Sequence, residues 1–225
     1  MTSLAEYYRE GRGRQLDLAA LLSDDEAAMM TPTCPAWSVK DVYAHQAGVA
    51  ADVLAGRVEG VATDPWTQRQ VDERADRSFA EVVAELAELG PQLEAALGET
   101  EPAGPFTRMV IDQWTHEQDV RGTVGRPGGR ECLAVTYSVG AMVPGFSRGW
   151  AERGLAPVQV VGSSQTWALG EGEPVATLRA SDFELVRLLV GRRSRAQALA
   201  LWEGDGEPFV DHLVAFAFAP EDVVE

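Results

Sequence analysis

The first half of the chain carries apolar residues at helical spacing, in segments separated by polar or proline-rich stretches. The clearest segment is 79–97, where valines and leucines recur every three or four positions and predict a helix. Similar spacing predicts a helix over 4–22, although Gly11 and Gly13 interrupt its pattern. Residues 63–76 are polar and loosely patterned, which predicts a loop or a short turn of helix.

Two further helices are predicted from the residues at their ends. Ser38 is typical of a helix N-cap, and Asp41 completes a short capping box, so a helix is predicted from there to about Gly56. Another is predicted to begin near Gly104-Pro105 and to extend to Val124, where a Gly/Pro cluster ends it. Four helices joined by loops predict a four-helix bundle.

The second half of the chain shows a different pattern. Helical spacing over 134–153 is followed by short apolar runs separated by turn residues, which predict a small antiparallel sheet over 158–161, 165–169 and 175–178. Ser181 is a candidate N-cap for a helix that extends through Leu189. Two more helical stretches are predicted over 195–202 and 208–218.

The boundary between the two patterns lies at the Gly/Pro cluster near residues 125–132. We therefore predict an α+β protein, with a helical bundle over 1–128 and a small α+β domain over 129–225. The length of 225 residues is ample for a hydrophobic core. The hydrophobic content of 45% is ordinary for a globular protein.

Composition argues against several classes of protein. The formal net charge of −16 disfavours nucleic-acid binding as a main function, because phosphate neutralisation needs a basic surface. No apolar run approaches the roughly 20 residues that span a bilayer, so we expect no membrane association. The N-terminal sequence lacks the apolar stretch of a signal peptide, and we expect a cytoplasmic protein. The two cysteines, Cys34 and Cys132, do not make a disulfide framework.

Candidate chemistry lies at two histidines on predicted helices, each four residues after an aspartate. Asp112 and His116 share one helix face, about one turn apart, where both can bind one metal ion. Asp41 precedes His45 in the same way, but we interpret Asp41 as a helix cap. A carboxylate with imidazole suits zinc, and nickel, cobalt, iron or manganese are alternatives. An ordinary helical surface pair fits the same spacing.

The sequences around these residues resemble the mycothiol-dependent maleylpyruvate isomerase family, which belongs to the DinB-like metalloenzyme bundles. The stretch Cys34–Gly48 is similar to the family motif W-S/T-V-x-D-V-x-A-H-L-x-G, with Gln46 where leucine is usual. The stretch Asp112–Gly122 is similar to the motif E-x-x-x-H-x-x-D-x-R, with aspartate where glutamate is usual. Residues Ser181–Ser194 are similar to the smaller α+β domain of the same family.

The resemblance implies that His45, Asp112 and His116 ligate a divalent metal and leave one coordination position open for a thiol. Zinc is the first candidate for this metal. It implies mycothiol as a cofactor, and an isomerase or S-transferase that uses a metal-activated thiolate on an electrophilic small-molecule acid. The alternatives are a metal-dependent hydrolase and a non-catalytic metal- or small-molecule-binding module. The expected partners are a small-molecule substrate and a low-molecular-weight thiol, and the expected state is a monomer or a homodimer.

The resemblance also implies roles for residues around the metal. Asp119 is implied as a partner of the ligating imidazole, with a salt bridge to a neighbouring arginine as the alternative. Arg192 and Arg193 match a family arginine pair and are implied to bind a substrate carboxylate, because a guanidinium fork fits one bidentately. A favourable charge at a helix C-terminus is the alternative for each. Trp37 and Trp114 are expected to pack beside the site.

Overall fold

The computed structural model describes residues 2–103 and 106–225, and the chain divides into two compact units. One unit comprises residues 1–128 together with Glu225, and the other comprises 129–224. The division falls within the Gly/Pro cluster, where Gly125 and Gly129 have φ values of 63° and 64°. Such positive φ values favour glycine, so the local sequence suits a break between units.

The first unit is mainly helical. Its elements in chain order are α1 (Leu4–Ala19), α2 (Asp24–Ala27), β1 (Met30–Thr31), β2 (Cys34–Ser38), α3 (Val39–Leu54), α4 (Asp64–Asp72), α5 (Phe79–Leu97) and α6 (Thr107–Thr123). Helices α1, α3, α5 and α6 form a four-helix bundle, in which α5 packs on α1 and α3, and α6 closes the ring against the same two helices. Among the described residues, no helix has the length and hydropathy needed to cross a membrane.

Serine N-caps determine where several of these helices begin. Capping boxes with a carboxylate three residues later occur at Ser3, Ser23, Ser38 and Ser78. The Asp41 carboxylate accepts the backbone N–H of Ser38 at 2.9 Å, which confirms its interpretation as a cap. Helix α5 has the predicted bounds. The predicted start of α6 at Gly104-Pro105 lies outside the described residues.

The core of the bundle lies largely between α3 and α5. Its buried side chains come from one face of each helix and include Val39, Val42, Ala47, Phe79, Val82 and Leu86. The ring of Tyr43 meets Phe79 edge-on, with centroids 5.3 Å apart, and its hydroxyl donates to the carbonyl of Gln15 on α1. These contacts fix α3, the helix that carries His45.

Helix α1 is continuous through Gly11, where the sequence pattern was interrupted. A Cβ on this glycine would lie 2.3 Å from Oε1 of Gln113, so its absence allows α1 to approach α6 closely. The residues that follow α2 form the antiparallel strand pair β1–β2. The sequence analysis predicted no strands in this proline-containing segment.

Residues 64–72 form α4, a helix of nine residues, which is longer than the short turn of helix that the sequence analysis allowed as an alternative to a loop. Pro65 lies in the first turn of this helix, where its missing N–H carries no penalty. The buried positions are Trp66, Gln70 and Val71, and one of the three is polar. Apolar periodicity alone therefore did not indicate a helix here.

The second unit combines helices with a sheet, and the fold as a whole is α+β, as predicted. Its elements are α7 (Leu133–Ser147), β3 (Val158–Val161), β4 (Thr166–Leu169), β5 (Thr177–Arg179), α8 (Asp182–Leu189), α9 (Arg195–Leu199), β6 (Trp202–Glu203) and a 3₁₀ turn (Val210–His212). The strand order is β4-β3-β5-β6. Strands β3 and β5 pair in parallel, so the prediction of a purely antiparallel sheet is wrong.

The end of the second unit departs most from the sequence prediction. Only a 3₁₀ turn forms within 208–218, because backbone N–H groups of this region bond elsewhere. The N–H of Ala215 donates to the carbonyl of Leu189, and that of Ala219 donates to the carbonyl of Arg193. The segment is therefore held along the end of α8 and the turn after it, and it is not a helix of its own.

Replacing Ser78 with alanine tests the cap of α5. The backbone N–H of Glu81 loses its acceptor, so we expect the free energy of unfolding to fall by about 1 kcal/mol in urea titrations. Hydrogen bonds from Ser78 hold the pKa of Glu81 below its ordinary value, and this pKa should rise in the variant when followed by carboxyl NMR. The exposed Thr100→Ala variant is the control and should change stability by less than about 0.5 kcal/mol.

Candidate metal centre

His45 on α3 and Asp112 and His116 on α6 bring their side chains together between the two helices. Nε2 of His45 lies 3.3 Å from Oδ2 of Asp112, and Nε2 of His116 lies 3.5 Å from Oδ1. One donor atom from each residue lies within 4.8 Å of the others. We name this group the His–Asp–His cluster. Three such donors at this spacing could hold one metal ion.

The cluster is buried on the histidine side and open at the carboxylate. His45 is 1% exposed and His116 is 8% exposed, whereas 38% of the Asp112 side chain is accessible. The ring of Trp37 lies against both imidazoles, with centroid distances of 5.2 and 5.9 Å. The tryptophan therefore packs beside the cluster, and solvent reaches it by way of Asp112.

Asp112 and His116 change each other's protonation. Partial burial raises the pKa of Asp112, but the nearby His45 and His116 together outweigh this and hold it well below the ordinary value. Removal from water lowers the pKa of His116, but the charge of Asp112 and the polar contacts with Asp112, Asp119 and Cys34 together outweigh this and hold it well above the ordinary value. The cluster thus favours a charged Asp112 carboxylate beside a positively charged His116. A bound cation would supply the same positive charge next to the carboxylate.

Asp119 lies on the opposite side of the His116 ring from Asp112. Its Oδ2 is 3.1 Å from Nδ1 of His116, while the hydroxyl of Thr33 donates to Oδ1 at 2.8 Å and the thiol of Cys34 donates to Oδ2 at 3.4 Å. Donor atoms of Cys34, His116 and Asp119 also lie within 4.8 Å of one another, but His116 presents a different ring nitrogen to each group.

The alternative for Asp119 was a salt bridge to a neighbouring arginine, and the arginine nearest to it in sequence, Arg121, pairs with another residue. Arg121 pairs with Glu117 on its own helix at 2.9 Å. Asp119 therefore lies where a partner of the His116 imidazole would have to be, and its role stays a prediction.

Arg192 and Arg193 lie in the second unit, directly after α8. Arg193 is buried, and its guanidinium donates two hydrogen bonds of 2.8 Å to the carboxylate of Glu184. A guanidinium group of Arg192 donates to the carbonyl of Val190 at 3.2 Å. The fork of Arg193 is thus already paired bidentately with a carboxylate of its own chain.

Two buried glutamines that sequence reasoning missed also contact the cluster. Nε2 of Gln46 donates to Oδ2 of Asp112 at 3.0 Å, and Oε1 of Gln70 lies 2.7 Å from Nδ1 of His45. The departure of Gln46 from the leucine of the motif was the available signal for the first. Gln70 lies on α4, which apolar periodicity did not predict, so the sequence offered no comparable signal for it.

Comparisons with known proteins agree with this fold. Residues 8–126 match the family model described as the mycothiol maleylpyruvate isomerase N-terminal domain. The chain is similar to crystal structures of the mycothiol-dependent maleylpyruvate isomerase and of its histidine-to-alanine mutant, with TM-scores of 0.55 and 0.54. In both, identity is 12%, and the match covers 84% of this chain and 88% of the other. No curated protein matches. Because the family model spans more than half of its length, the chain belongs to the mycothiol maleylpyruvate isomerase N-terminal domain family.

Proposed function

We propose that the protein is a metal- and mycothiol-dependent enzyme of the isomerase or S-transferase type, which acts on an electrophilic small-molecule acid. The observation that carries the proposal is the convergence of His45, Asp112 and His116 between α3 and α6 in a chain of this family. The two similar solved structures are of a mycothiol-dependent maleylpyruvate isomerase, which supports the choice of thiol and of substrate class.

The donor set of the cluster fits a divalent cation such as Zn²⁺. Two imidazole nitrogens and one carboxylate are three protein ligands, the number typical of catalytic zinc sites that keep a position open. Nε2 of His45 lies 3.3 Å from Oδ2 of Asp112 and Nε2 of His116 lies 3.5 Å from Oδ1, so each imidazole is close to one oxygen of the carboxylate that would complete the ligand set.

The residues around the cluster prepare it for this chemistry. A divalent ion bound there would lower the pKa of a coordinated thiol, so that mycothiol reacts as a thiolate near neutral pH. Oδ2 of Asp119 lies 3.1 Å from Nδ1 of His116, and a carboxylate there favours a proton on Nδ1, which would leave Nε2 as the nitrogen that ligates an ion. Trp37 covers the two imidazoles, and the accessible edge of Asp112 leaves one direction for thiol and substrate to approach.

Substrate binding by Arg192 and Arg193 remains part of the proposal. Guanidinium groups suit the carboxylate of a maleyl-type acid, because they offer two parallel donors. A substrate carboxylate at Arg193 would have to replace Glu184, which already accepts both donors. Substrate binding by the two arginines therefore requires that the substrate carboxylate displace Glu184 from Arg193.

Replacing His45 with alanine should strongly weaken Zn²⁺ binding, because a direct ligand is removed. The loss of affinity should exceed the roughly 10–100-fold that is typical when a residue hydrogen-bonded to a ligand is removed. Isothermal titration calorimetry on the full-length protein measures this change. The control is His212→Ala, since His212 lies in the second unit and packs edge-on against Trp150. Equal Zn²⁺ affinity in wild type and His45→Ala would show that the cluster is not the metal site.

Turnover of maleylpyruvate by the Zn²⁺-loaded protein should require added mycothiol and should be lost in His45→Ala. Absorbance and mass spectrometry follow isomerisation and any thiol conjugate. Hydrolysis without thiol would contradict the proposal and indicate a metal-dependent hydrolase. A protein that binds Zn²⁺ but neither binds the thiol nor turns over substrate would also contradict the proposal. That result would indicate a non-catalytic binding module.

A further inference from the structure

A chain of buried polar groups lies behind His45. Nδ1 of His45 is 2.7 Å from Oε1 of Gln70, and Nε2 of Gln70 donates to Oδ2 of Asp52 at 2.8 Å. The side chains of Gln70 and Asp52 are fully buried. Arg57 and Arg69, which are both partly exposed, pair with Asp52 at 2.7 and 2.9 Å. This polar chain therefore connects His45 to two surface arginines.

The direction of each hydrogen bond follows from Asp52. Paired with two arginines, its side chain is a carboxylate, and a carboxylate only accepts hydrogen bonds. Gln70 must then turn its NH₂ group toward Asp52 and its carbonyl oxygen toward His45. Since that oxygen also only accepts, Nδ1 of His45 is the nitrogen that must carry a proton. Nε2, which lies 3.3 Å from Oδ2 of Asp112, is then the nitrogen left to ligate a metal ion.

Gly48 explains how Gln70 comes so close to α3. It lies about one turn after His45, and a Cβ there would lie 2.4 Å from Cβ of Gln70 and 2.6 Å from Cγ. Arg74 holds the backbone of Gln70 through a 2.9 Å hydrogen bond to its carbonyl, and pairs in turn with Glu85 of α5. The position of Gln70 is thus fixed by packing and by hydrogen bonds on both sides.

We infer that Gln70 is a positioning residue for His45, and that Asp52 sets the orientation of the Gln70 amide. Neither residue is a metal ligand; together they hold His45 in the one neutral tautomer that can offer Nε2 to an ion. The inference rests on the proposed metal site and adds to it a polar chain that no family motif described above includes.

Two substitutions separate this role from simple packing. In Asp52→Asn the new amide can donate or accept, so Gln70 is no longer forced to present its oxygen to His45. We expect an Nε2–H tautomer of His45 to appear in ¹⁵N NMR of the metal-free full-length protein. Zn²⁺ affinity should fall about 10–100-fold by calorimetry.

The double variant Asp52→Asn, Gln70→Glu reverses the polarity of the pair and keeps its net charge. The new carboxylate accepts from the new amide and also from Nδ1 of His45, so the Nδ1–H tautomer and most of the Zn²⁺ affinity should return. A purely structural role predicts no such rescue. The matched control is Gln15→Met, because Gln15 is a buried glutamine whose amide donates to the backbone carbonyl of Gln113.

The control should lower stability while leaving the His45 tautomer and Zn²⁺ affinity unchanged. Wild-type tautomer and affinity in Asp52→Asn would overturn the inference, as would a double variant that recovers stability without affinity. If the wild-type protein binds no Zn²⁺, the proposed function fails. The tautomer of the metal-free variants still decides the present inference in that case.

Discussion

The packing of α3 against its neighbours is the constraint on which the candidate site depends. Its apolar face is buried against α5, and Gly48 admits Gln70 of α4 on another side. Only with α3 fixed in this way does His45 come within 3.3 Å of Asp112 on α6. The site therefore needs the bundle to be correctly packed, since two of its three donors share a helix and the third does not.

The sequence predicted the local parts of this arrangement well. Asp112 and His116 are four residues apart, so helical geometry alone placed them on one face. His45 required the family resemblance, because no spacing rule relates residues on separate helices. Gln70 was missed since α4 buries a polar residue where a periodic pattern would have an apolar one. The implied metal ligation and arginine roles are still predictions that need the experiments described above.

The second unit shows the same limit. Short apolar runs and turn residues indicated β3 and β4, which pair as a hairpin. The parallel pairing of β3 with β5 joins strands that are not adjacent in sequence, and no local signal specifies it. The segment 208–218 has helical periodicity, yet Ala215 bonds to the last residue of α8 and Ala219, just beyond the segment, bonds to Arg193 in the turn that follows. In each case a contact distant in sequence overrides the local preference.

Gln46 and Asp112 are the departures from the family motifs, and they contact each other at 3.0 Å. The shorter carboxylate is thus held by an amide donor that leucine could not supply. The polar chain behind His45 has a parallel consequence for sequence variation. Each member must match the hydrogen-bonding polarity of the next, and Gln70 also needs the space left by Gly48. We therefore expect positions 48, 52 and 70 to covary among relatives, since a change at one of them is tolerated only with a compensating change at another.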